Sequence, residues 1–450
     1  MATPDDLRAA IAGRLLTPDD EGYDEARRVH NGMIDKRPAL IARCLDVSDI
    51  VAAVGYARDE GLQLSVRGGG HNVGGRAVTH GGLMIDLAEM CGVLVDPEGR
   101  VAVAQGGATW GDFYRATDIY GLSTNGGVIS STGVAGLTLG GGIGWLMGRD
   151  GLSVDNLRAV ELVTADGAVV RASADQNPDL FWALRGGGGN FGVAASLEFD
   201  LHEVGPTVLG GIVAHPFDAA GEMLRFYRDF TSSGLSDELV VFGGVLHAPD
   251  GSGMKIGAMI CCHTGSLEQA EADLRPLREF GNPAIDAVGP MSFPAMNTML
   301  DDGFQRGALN YWKSSFVSEL TDEAIDTVVD QFSDAPSPMS GVLFEHFHGA
   351  ATRVAREATA FTHRTPGYNF LVAGQWLEPA ETDANVAWVR RYFDAMSPHF
   401  RDERYVNYLG DDEGEQAPDA ADGPVYGRLR EVKRKYDPEN FFHLNQNIMP

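Results

Sequence analysis

Hydrophobic and polar positions alternate in short runs before about residue 205 and in longer runs after it. The short runs predict strands at residues 62–66, 83–87, 101–104 and 197–201. Two more predicted strands, 160–164 and 169–172, flank Asp166 and Gly167, a pair typical of a hairpin turn. Apolar residues at helical spacing follow Ser48 and Asp49, and we expect these side chains to cap a helix there.

The second part of the chain has the pattern of a separate sheet. Its predicted strands are 238–246, 257–262 and 368–376, and its predicted amphipathic helices are 267–280 and 385–396. We expect an antiparallel sheet with helices packed on one face. A basic helix at 426–435 ends before Pro438, and residues 439–450 are apolar enough that we expect them to fold back onto the first domain. The sequence thus predicts domains at 1–205 and 206–402, with 403–450 returning to the first.

Composition narrows the class of protein. The 450 residues are 44% hydrophobic and 22% charged, as in a soluble globular protein of more than one domain. A formal net charge of −28 argues against nucleic-acid and anionic-membrane partners. Neither an N-terminal apolar signal nor a membrane-length apolar run is present, so we expect a cytoplasmic protein. The four cysteines lack metal-ligand spacing, and we predict no metal site.

Of the 57 glycines, 18 lie in four blocks of the first domain, at residues 67–75, 105–110, 131–144 and 184–192. Glycine lets backbone N–H groups approach an anion without hindrance from side chains. Taken alone, the first block fits a glycine turn with a surface histidine equally well. The spacing of the blocks does not match a Rossmann fingerprint, and no Walker lysine follows any of them.

The order of these blocks closely resembles the FAD-binding PCMH-type fold of the vanillyl-alcohol-oxidase superfamily, in its bacterial berberine-bridge-enzyme-like branch. The shared motifs are R-G-G-G-H-N at 67–72, T-G-V-A-G-L-T-L-G-G-G-I-G at 132–144, L-S-V-D-N-L at 152–157, D-L-F-W-A-L-R-G-G-G-G-N-F-G-V at 179–193, Y-V-N-Y at 405–408, K-Y-D-P-E-N-F-F at 435–442 and N-Q-N-I-M-P at 445–450. The resemblance covers nearly the full length. It implies an α+β, two-domain fold, with a PCMH-type FAD-binding core at about 36–205 and a substrate domain whose antiparallel sheet is covered by helices.

The resemblance also implies the cofactor and its ligands. FAD would be attached covalently to His71 through the 8-methyl carbon of its ring. The first loop and the third block would hold the pyrophosphate, the end of the fourth block would lie along the adenosine half, and the C-terminal asparagines would come near the polar edge of the flavin. The residues implied, besides His71, are Arg67, Gly68, Gly69, Gly70, Asn72, Gly133, Gly136, Gly140, Gly141, Gly192, Val193, Asn445 and Asn447.

The chain departs from the resemblance at one position. Relatives with two covalent flavin bonds carry a cysteine where this chain has Ile129, so we expect attachment through His71 alone. Thr132 falls at the family's gatekeeper position beside the flavin. Small or β-branched residues there accompany reaction with dioxygen, which favours an oxidase over a dehydrogenase that uses another electron acceptor.

The catalytic base is predicted at Tyr408, which matches the tyrosine that serves as base in carbohydrate-oxidising relatives. A tyrosine can accept a proton when neighbouring cations or the flavin lower its pKa. The alternative is a strand tyrosine that covers the cofactor without titrating. In the second domain, residues 342–348 alternate so that Glu345 faces one way and His346 and His348 the other. The histidines fit pocket lining better than a metal site, because no third ligand is evident.

These observations predict an FAD-dependent oxidase. It would move a hydride from a small alcohol, sugar or amine to FAD, and dioxygen would be reduced to hydrogen peroxide. One alternative is a dehydrogenase of the same fold; another is a flavin-binding protein without turnover. The sequence leaves substrate identity and oligomeric state open.

Overall fold

The N-terminal strands of the computed structural model form two larger sheets and one two-stranded sheet. The structure describes residues 3–413 and 425–450. The first sheet has the order β1-β2-β4-β3, and β4 runs parallel to β2 and β3. Its strands are β1 (Arg14–Leu16), β2 (Leu40–Arg43), β3 (Leu64–Arg67) and β4 (Leu83–Asp86). The strand predicted at 62–66 is thus β3, and it ends where the first glycine block begins.

The second sheet is antiparallel, in the order β5-β6-β10-β8-β9. Its strands are β5 (Val93–Asp96), β6 (Val101–Gln105), β8 (Leu157–Val163), β9 (Val169–Ser173) and β10 (Val193–Asp200), while β7 (Leu122–Ser123) pairs separately with β11 (His202–Glu203). The hairpin predicted at Asp166-Gly167 is confirmed, because β8 and β9 pair antiparallel across it and Gly167 adopts a φ of 82°.

Helices in this part of the chain are α1 (Pro4–Ala10), α2 (Tyr23–Ala26), α3 (Val47–Asp59), α4 (Trp110–Asp118), α5 (Val134–Leu139), α6 (Met147–Asp150) and α7 (Pro178–Leu184). The predicted cap of α3 is wrong. Asp46 is the cap, since its side chain accepts from the backbone N–H of Asp49. The buried Asp49 carboxylate instead accepts from the backbone N–H groups of Ala12, Gly13 and Leu45 and so joins three segments.

Beyond residue 207 the strands form one large antiparallel sheet, in the order β15-β12-β14-β13-β18-β19-β17, with β16 beside β12. These strands are β12 (Val208–Pro216), β13 (Leu239–His247), β14 (Lys255–His263), β15 (Ile285–Asp286), β16 (Gly289–Met291), β17 (Leu309–Val317), β18 (Gly341–Phe347) and β19 (Gly367–Trp376). The helices are α8 (Ala220–Ser232), α9 (Leu267–Glu279), α10 (Phe293–Thr298), α11 (Asp322–Phe332), α12 (Ala350–Arg353) and α13 (Thr382–Met396).

The two faces of this large sheet have different partners. Helices α8, α9, α11 and α13 cover one face, and Val342 and Phe344 of β18 are buried there among their apolar residues. Leu343 points the other way and packs against the core of the N-terminal part. The predicted antiparallel sheet covered by helices is confirmed, and its second face is left to form the roof of a cavity.

The C-terminal segment packs on the N-terminal part of the chain. Helix α14 (Tyr426–Tyr436) carries the buried Lys433, whose ammonium donates to the carbonyl oxygens of Asn190 and Phe442, each at 2.7 Å. The same ammonium pairs with the Asp437 carboxylate at 2.7 Å. Of the predicted segment 403–450, residues 414–424 lie outside the described residues. No helix in the described ranges is both long and apolar enough to cross a membrane.

Candidate active site

A large cavity lies between the glycine loops and the uncovered face of the large sheet. Together with the open solvent at its mouth, the space inside the cavity measures about 1910 Å³. Its wall includes residues of the first, second, third and fourth glycine blocks, strands of the large sheet, and the C-terminal segment from Leu444 to Gln446. One cavity therefore joins the glycine loops, the large sheet and the C-terminal segment.

Two glycine loops meet at the floor of the cavity. A Cβ added to Gly69 would lie 2.3 Å from the backbone nitrogen of Gly133, and one added to Gly133 would lie 2.4 Å from the nitrogen of Gly69. Neither position can therefore accept a side chain without moving the other loop. The loops present bare backbone to the cavity, an arrangement suited to the diphosphate of a dinucleotide.

His71 is fixed at the end of the first loop by two contacts. Its ring stacks on that of His30, with centroids 3.9 Å apart and an interplanar angle of 23°. Its Nε2 lies 2.8 Å from the hydroxyl oxygen of Ser131 in the third block. Burial lowers the pKa of His71 well below its usual value and that of His30 to about 4, and the Arg306 charge acts in the same direction on both. Both rings are therefore neutral near pH 7.

Most of the predicted site residues line this one cavity. They are Gly68, Gly69, Gly70, His71, Asn72, Thr132, Gly133, Gly136, Gly192, Val193, Tyr408 and Asn445. Ile129 also lines it, whereas Cys44, Cys91, Cys261 and Cys262 do not.

Four predicted cofactor residues, Arg67, Gly140, Gly141 and Asn447, do not line the cavity, and their contacts with FAD stay predictions. The Arg67 guanidinium is turned away and pairs with the buried Asp86 carboxylate at 2.6 Å. A Cβ on Gly140 would meet Asn407 Oδ1 at 2.1 Å, and one on Gly141 would meet the Phe361 ring at 2.7 Å. These two glycines make room for neighbouring side chains. The Asn447 side-chain amide donates to the sulfur of Met449.

Arg76 is a wall residue that sequence reasoning missed. Its guanidinium donates to the carbonyl oxygens of Leu444 at 3.2 Å, Asn445 at 3.4 Å and Gly410 at 3.2 Å, while its buried Nε has no protein partner. Among the described residues of the wall, it is the only arginine or lysine. A cation directly after the glycine pair at 74–75 was the available signal. Arg76 holds the C-terminal segment in place and brings positive charge to a strongly acidic protein.

The roof of the cavity carries Tyr408 and Glu345, two acidic side chains joined by a hydrogen bond and called the acid pair below. The Tyr408 hydroxyl donates to Glu345 Oε1 at 2.9 Å, and the Asn369 amide donates to Glu345 Oε2 at 2.6 Å. Burial raises the pKa of Glu345 to about 7, although both hydrogen bonds act in the opposite direction. Burial, and then the Glu345 charge, raise the pKa of Tyr408 well above its usual value.

This environment corrects two expectations about Tyr408. Neighbouring cations do not lower its pKa as expected, because burial and then the Glu345 carboxylate raise it, whereas an effect of the flavin stays a prediction. Tyr408 also does not lie on a strand but at the end of a 3₁₀ turn, Val406–Tyr408. Tyr405 precedes that turn, and its hydroxyl accepts from the backbone N–H of Gly142 at 3.0 Å, which fits the structural role expected for it.

The rest of the roof is apolar. Its side chains are Phe242, Leu300, Phe304, Trp312, Leu343 and Leu371. Glu345 is the only carboxylate among the described wall residues. His346 and His348 stack on each other, with centroids 4.8 Å apart, and do not line the cavity. No group of three or more histidine, cysteine or carboxylate side chains in the described part of the chain could hold a metal ion.

Comparison with known proteins agrees with this geometry. A family model described as "FAD binding domain" matches residues 38–173, and one described as "Berberine and berberine like" matches residues 404–449. The chain is 32% identical to (R)-6-hydroxynicotine oxidase of Paenarthrobacter nicotinovorans, over 100% of this chain and 98% of that protein.

Solved structures show the same relationship. The crystal structure of 6-hydroxy-D-nicotine oxidase from Arthrobacter nicotinovorans matches with a TM-score of 0.90 at 30% identity, covering 100% of both chains. The BBE-like 1 protein of Physcomitrella patens, 22% identical, shares the fold with a TM-score of 0.89 over 100% of this chain and 99% of that one. This chain is an FAD-dependent oxidoreductase that belongs to the berberine-bridge-enzyme-like family.

Proposed function

We propose that this protein oxidises a small molecule at a carbon bearing an amine or hydroxyl group. Electrons would pass to FAD attached to His71 alone and then to dioxygen, which yields hydrogen peroxide. The observation that carries the proposal is the Tyr408–Glu345 pair, which lines the same cavity as His71 and the glycine loops.

The residues of the cavity fit FAD. The close approach of Gly69 and Gly133 leaves bare backbone for the diphosphate, and Arg76 supplies a cation in the same wall. Bound there, FAD supplies the acceptor for a hydride from the substrate carbon. Attachment through His71 alone is supported by Ile129, because this wall position carries no thiol.

The substrate must lose a proton from its O–H or N–H group as the hydride leaves its carbon. Tyr408 is a poor base because its pKa is raised. Glu345, with its pKa at about 7, suits that role at neutral pH. We therefore assign Glu345 as the proton acceptor. The Tyr408 hydroxyl relays the proton, taking it from the substrate while donating its own to Glu345 Oε1, and so never becomes a free phenolate.

The apolar roof favours one part of the predicted substrate range. A sugar would leave many hydroxyl groups without partners against Leu300, Phe304, Trp312 and Leu371. An amine or alcohol on an apolar or aromatic body fits this surface and leaves a single polar group for Tyr408 and Glu345. The 32% identity to (R)-6-hydroxynicotine oxidase supports an amine as the substrate.

The final electron acceptor is tested by reducing the holoenzyme without oxygen and then admitting air. We expect the flavin absorbance to return within seconds and hydrogen peroxide to form in equal amount to the flavin reoxidised. Thr132 in the cavity wall supports this expectation, since a small gatekeeper leaves room for dioxygen at the flavin. Reoxidation over many minutes, with fast turnover on an artificial acceptor, would identify the protein as a dehydrogenase.

A further inference from the structure

One part of the apolar roof is a connecting segment between α10 and β17. Residues 300–304, called the roof segment below, contain a 3₁₀ turn, Asp301–Gly303. Leu300 and Phe304 lie on either side of that turn, and both line the cavity. The other apolar roof side chains, Phe242, Trp312, Leu343 and Leu371, belong to strands of the large sheet. The roof segment therefore adds two side chains whose positions are not fixed by the pairing of strands.

Three hydrogen bonds fix the roof segment from two directions. The Asp301 carboxylate accepts from the backbone N–H of Ser130 at 2.8 Å and from the Ser130 hydroxyl at 2.5 Å. The Gly303 carbonyl accepts from the side-chain amide of Gln375 at 3.0 Å. Ser130 comes directly before the third glycine block, and Gln375 belongs to β19. The roof segment is thus held both to the glycine loops and to the large sheet.

The ring of Phe304 stands at the end of a row of three aromatic rings. Its centroid lies 5.7 Å from that of Trp312, at an interplanar angle of 82°. On its other side, Trp312 lies 6.0 Å from the Tyr408 ring, at 80°. The indole N–H of Trp312 donates to Asn310 Oδ1 at 3.1 Å, which fixes the orientation of the middle ring. The row leads from the acid pair to the roof segment.

We propose that Phe304 is a specificity-determining residue that selects amines with an uncharged aromatic ring close to the reacting carbon. We further propose that Asp301 is the positioning residue that keeps Phe304 in place. This inference rests on the proposed oxidation of a small amine or alcohol. It adds to that proposal the class of substrate and the side chains that select it.

The selection follows from the two perpendicular rings. A substrate whose polar group reaches Tyr408 has its body beside Trp312 and Phe304. An aromatic ring there can stack on one of them and meet the other edge to face, which are the arrangements that aromatic pairs prefer. A carboxylate there would lose its hydration without gaining a cation. Arg76, the only arginine or lysine among the described wall residues, is bonded to carbonyl groups of the C-terminal segment.

The test measures binding and flavin reduction separately. Holoenzyme is mixed without oxygen with N-methylbenzylamine, with its cyclohexyl analogue, or with the same aromatic amine carrying a para carboxylate. The dependence of flavin reduction on amine concentration gives a Kd and a limiting rate constant. In the wild type, we expect the aromatic amine to bind about 3–10-fold more tightly than the cyclohexyl amine. We expect the carboxylate to weaken binding by about 100-fold or more.

Variants of Phe304 separate the aromatic ring from its apolar volume. Phe304→Leu keeps apolar volume and should bring the Kd values of the aromatic and cyclohexyl amines close together. Phe304→Tyr keeps the ring and should retain the preference. In both variants the limiting rate constant should stay within about 3-fold of wild type, because the acid pair is intact. Phe230→Ala is the matched control, since Phe230 stacks on Phe226 in α8 and does not line the cavity.

Asp301 is tested by a double-mutant cycle. Asp301→Ala should raise the Kd of N-methylbenzylamine by about 10-fold, because it releases the roof segment from Ser130. Combined with Phe304→Leu it should add little, since both substitutions act through one ring. Asp302→Ala, which removes the exposed neighbouring carboxylate, should leave the Kd unchanged.

The outcomes distinguish this inference from the proposal beneath it. No reduction of the flavin by any of these amines or by the corresponding alcohols would overturn the proposed function. Reduction by benzyl alcohol but by none of the amines would overturn the selection of amines while oxidation stands. An unchanged aromatic preference in Phe304→Leu, or equal binding of the para carboxylate, would overturn the role of Phe304. Fully additive effects in the cycle would overturn the positioning role of Asp301.

Discussion

At Glu345, one carboxylate illustrates how strongly a residue's chemistry depends on its surroundings. Its usual pKa of 4.5 rises to about 7 because the group is buried against the apolar roof. Two hydrogen-bond donors, Tyr408 and Asn369, hold both of its oxygens. The carboxylate form, which accepts the proton, is therefore lost as the pH falls through about 7.

We expect the rate constant of flavin reduction to rise with pH and to level off above about pH 8. Glu345→Gln should lower that rate constant by about 100-fold or more, the contribution of general-base catalysis, and should remove the inflection near pH 7. Stopped-flow reduction across pH 5.5–9 measures both effects. Glu413→Gln is the matched control, because Glu413 pairs with Lys313 outside the cavity. An unchanged profile in Glu345→Gln would refute the assignment of the base.

The Tyr408 hydroxyl makes a second, separable contribution. Tyr408→Phe keeps the ring but removes both the relay and a donor that lowers the pKa of Glu345. We expect flavin reduction to slow by about 10²-fold and its inflection to move to higher pH. Tyr311→Phe, whose hydroxyl donates to Asp412 away from the cavity, should leave both unchanged. A slower rate with the inflection unmoved would show that Tyr408 does not act on Glu345.

At the scale of elements, the contact between the first and third glycine blocks depends on the absence of two Cβ atoms. Gly69→Ala or Gly133→Ala would place a methyl group about 2.3–2.4 Å from the opposite backbone and push the loops apart. We expect either variant to purify with little or no FAD, measured by the ratio of absorbance at 450 and 280 nm. Gly55→Ala in α3 meets nothing within 4 Å and should bind FAD normally.

The elements were largely predictable because their signals are local. The alternation of apolar and polar residues predicted strands β3, β8 and β9. The Asp166-Gly167 dipeptide predicted the hairpin that joins β8 to β9. The cap of α3 was misassigned because Asp49 is satisfied by backbone of the distant residues 12 and 13, which no local pattern reveals.

The site was predictable only in part, for the same physical reason. Glycine blocks revealed the cradle, since glycine is required where two backbones meet. The acid pair was missed because Tyr408 and Glu345 lie 63 positions apart and join only when the roof packs over the turn. The burial that shifts their pKa values likewise exists only in the assembled fold. Arg67 and Gly140 belong to recognised motifs, but their contacts are decided by Asp86 and Asn407.

At the scale of the whole molecule, the buried Lys433 ammonium fastens the C-terminal segment to the fourth glycine block by donating to the Asn190 carbonyl, and Asp437 balances its charge. Lys433→Met would leave the Asp437 carboxylate buried without its cation, which costs about 3–5 kcal/mol. We expect a lower thermal unfolding midpoint and faster loss of the C-terminal residues to carboxypeptidase. Lys435→Met removes an exposed pair with Asp179 and should change stability by no more than about 1 kcal/mol. Equal effects of the two substitutions would show that burial of the pair is unimportant.

The fastening at Lys433 also sets an order of events during protein synthesis. The cavity wall is built from residues as early as Leu64 and as late as Gln446. While the ribosome is still adding the last of these, the Asn190 carbonyl lacks the Lys433 ammonium, and Arg76 lacks the carbonyl groups of Leu444 and Asn445. FAD can therefore be enclosed only after translation has passed residue 446. We expect a chain that stops short of it to carry every glycine loop and still to purify with little FAD, so that flavin content would also report whether synthesis had reached the end of this segment.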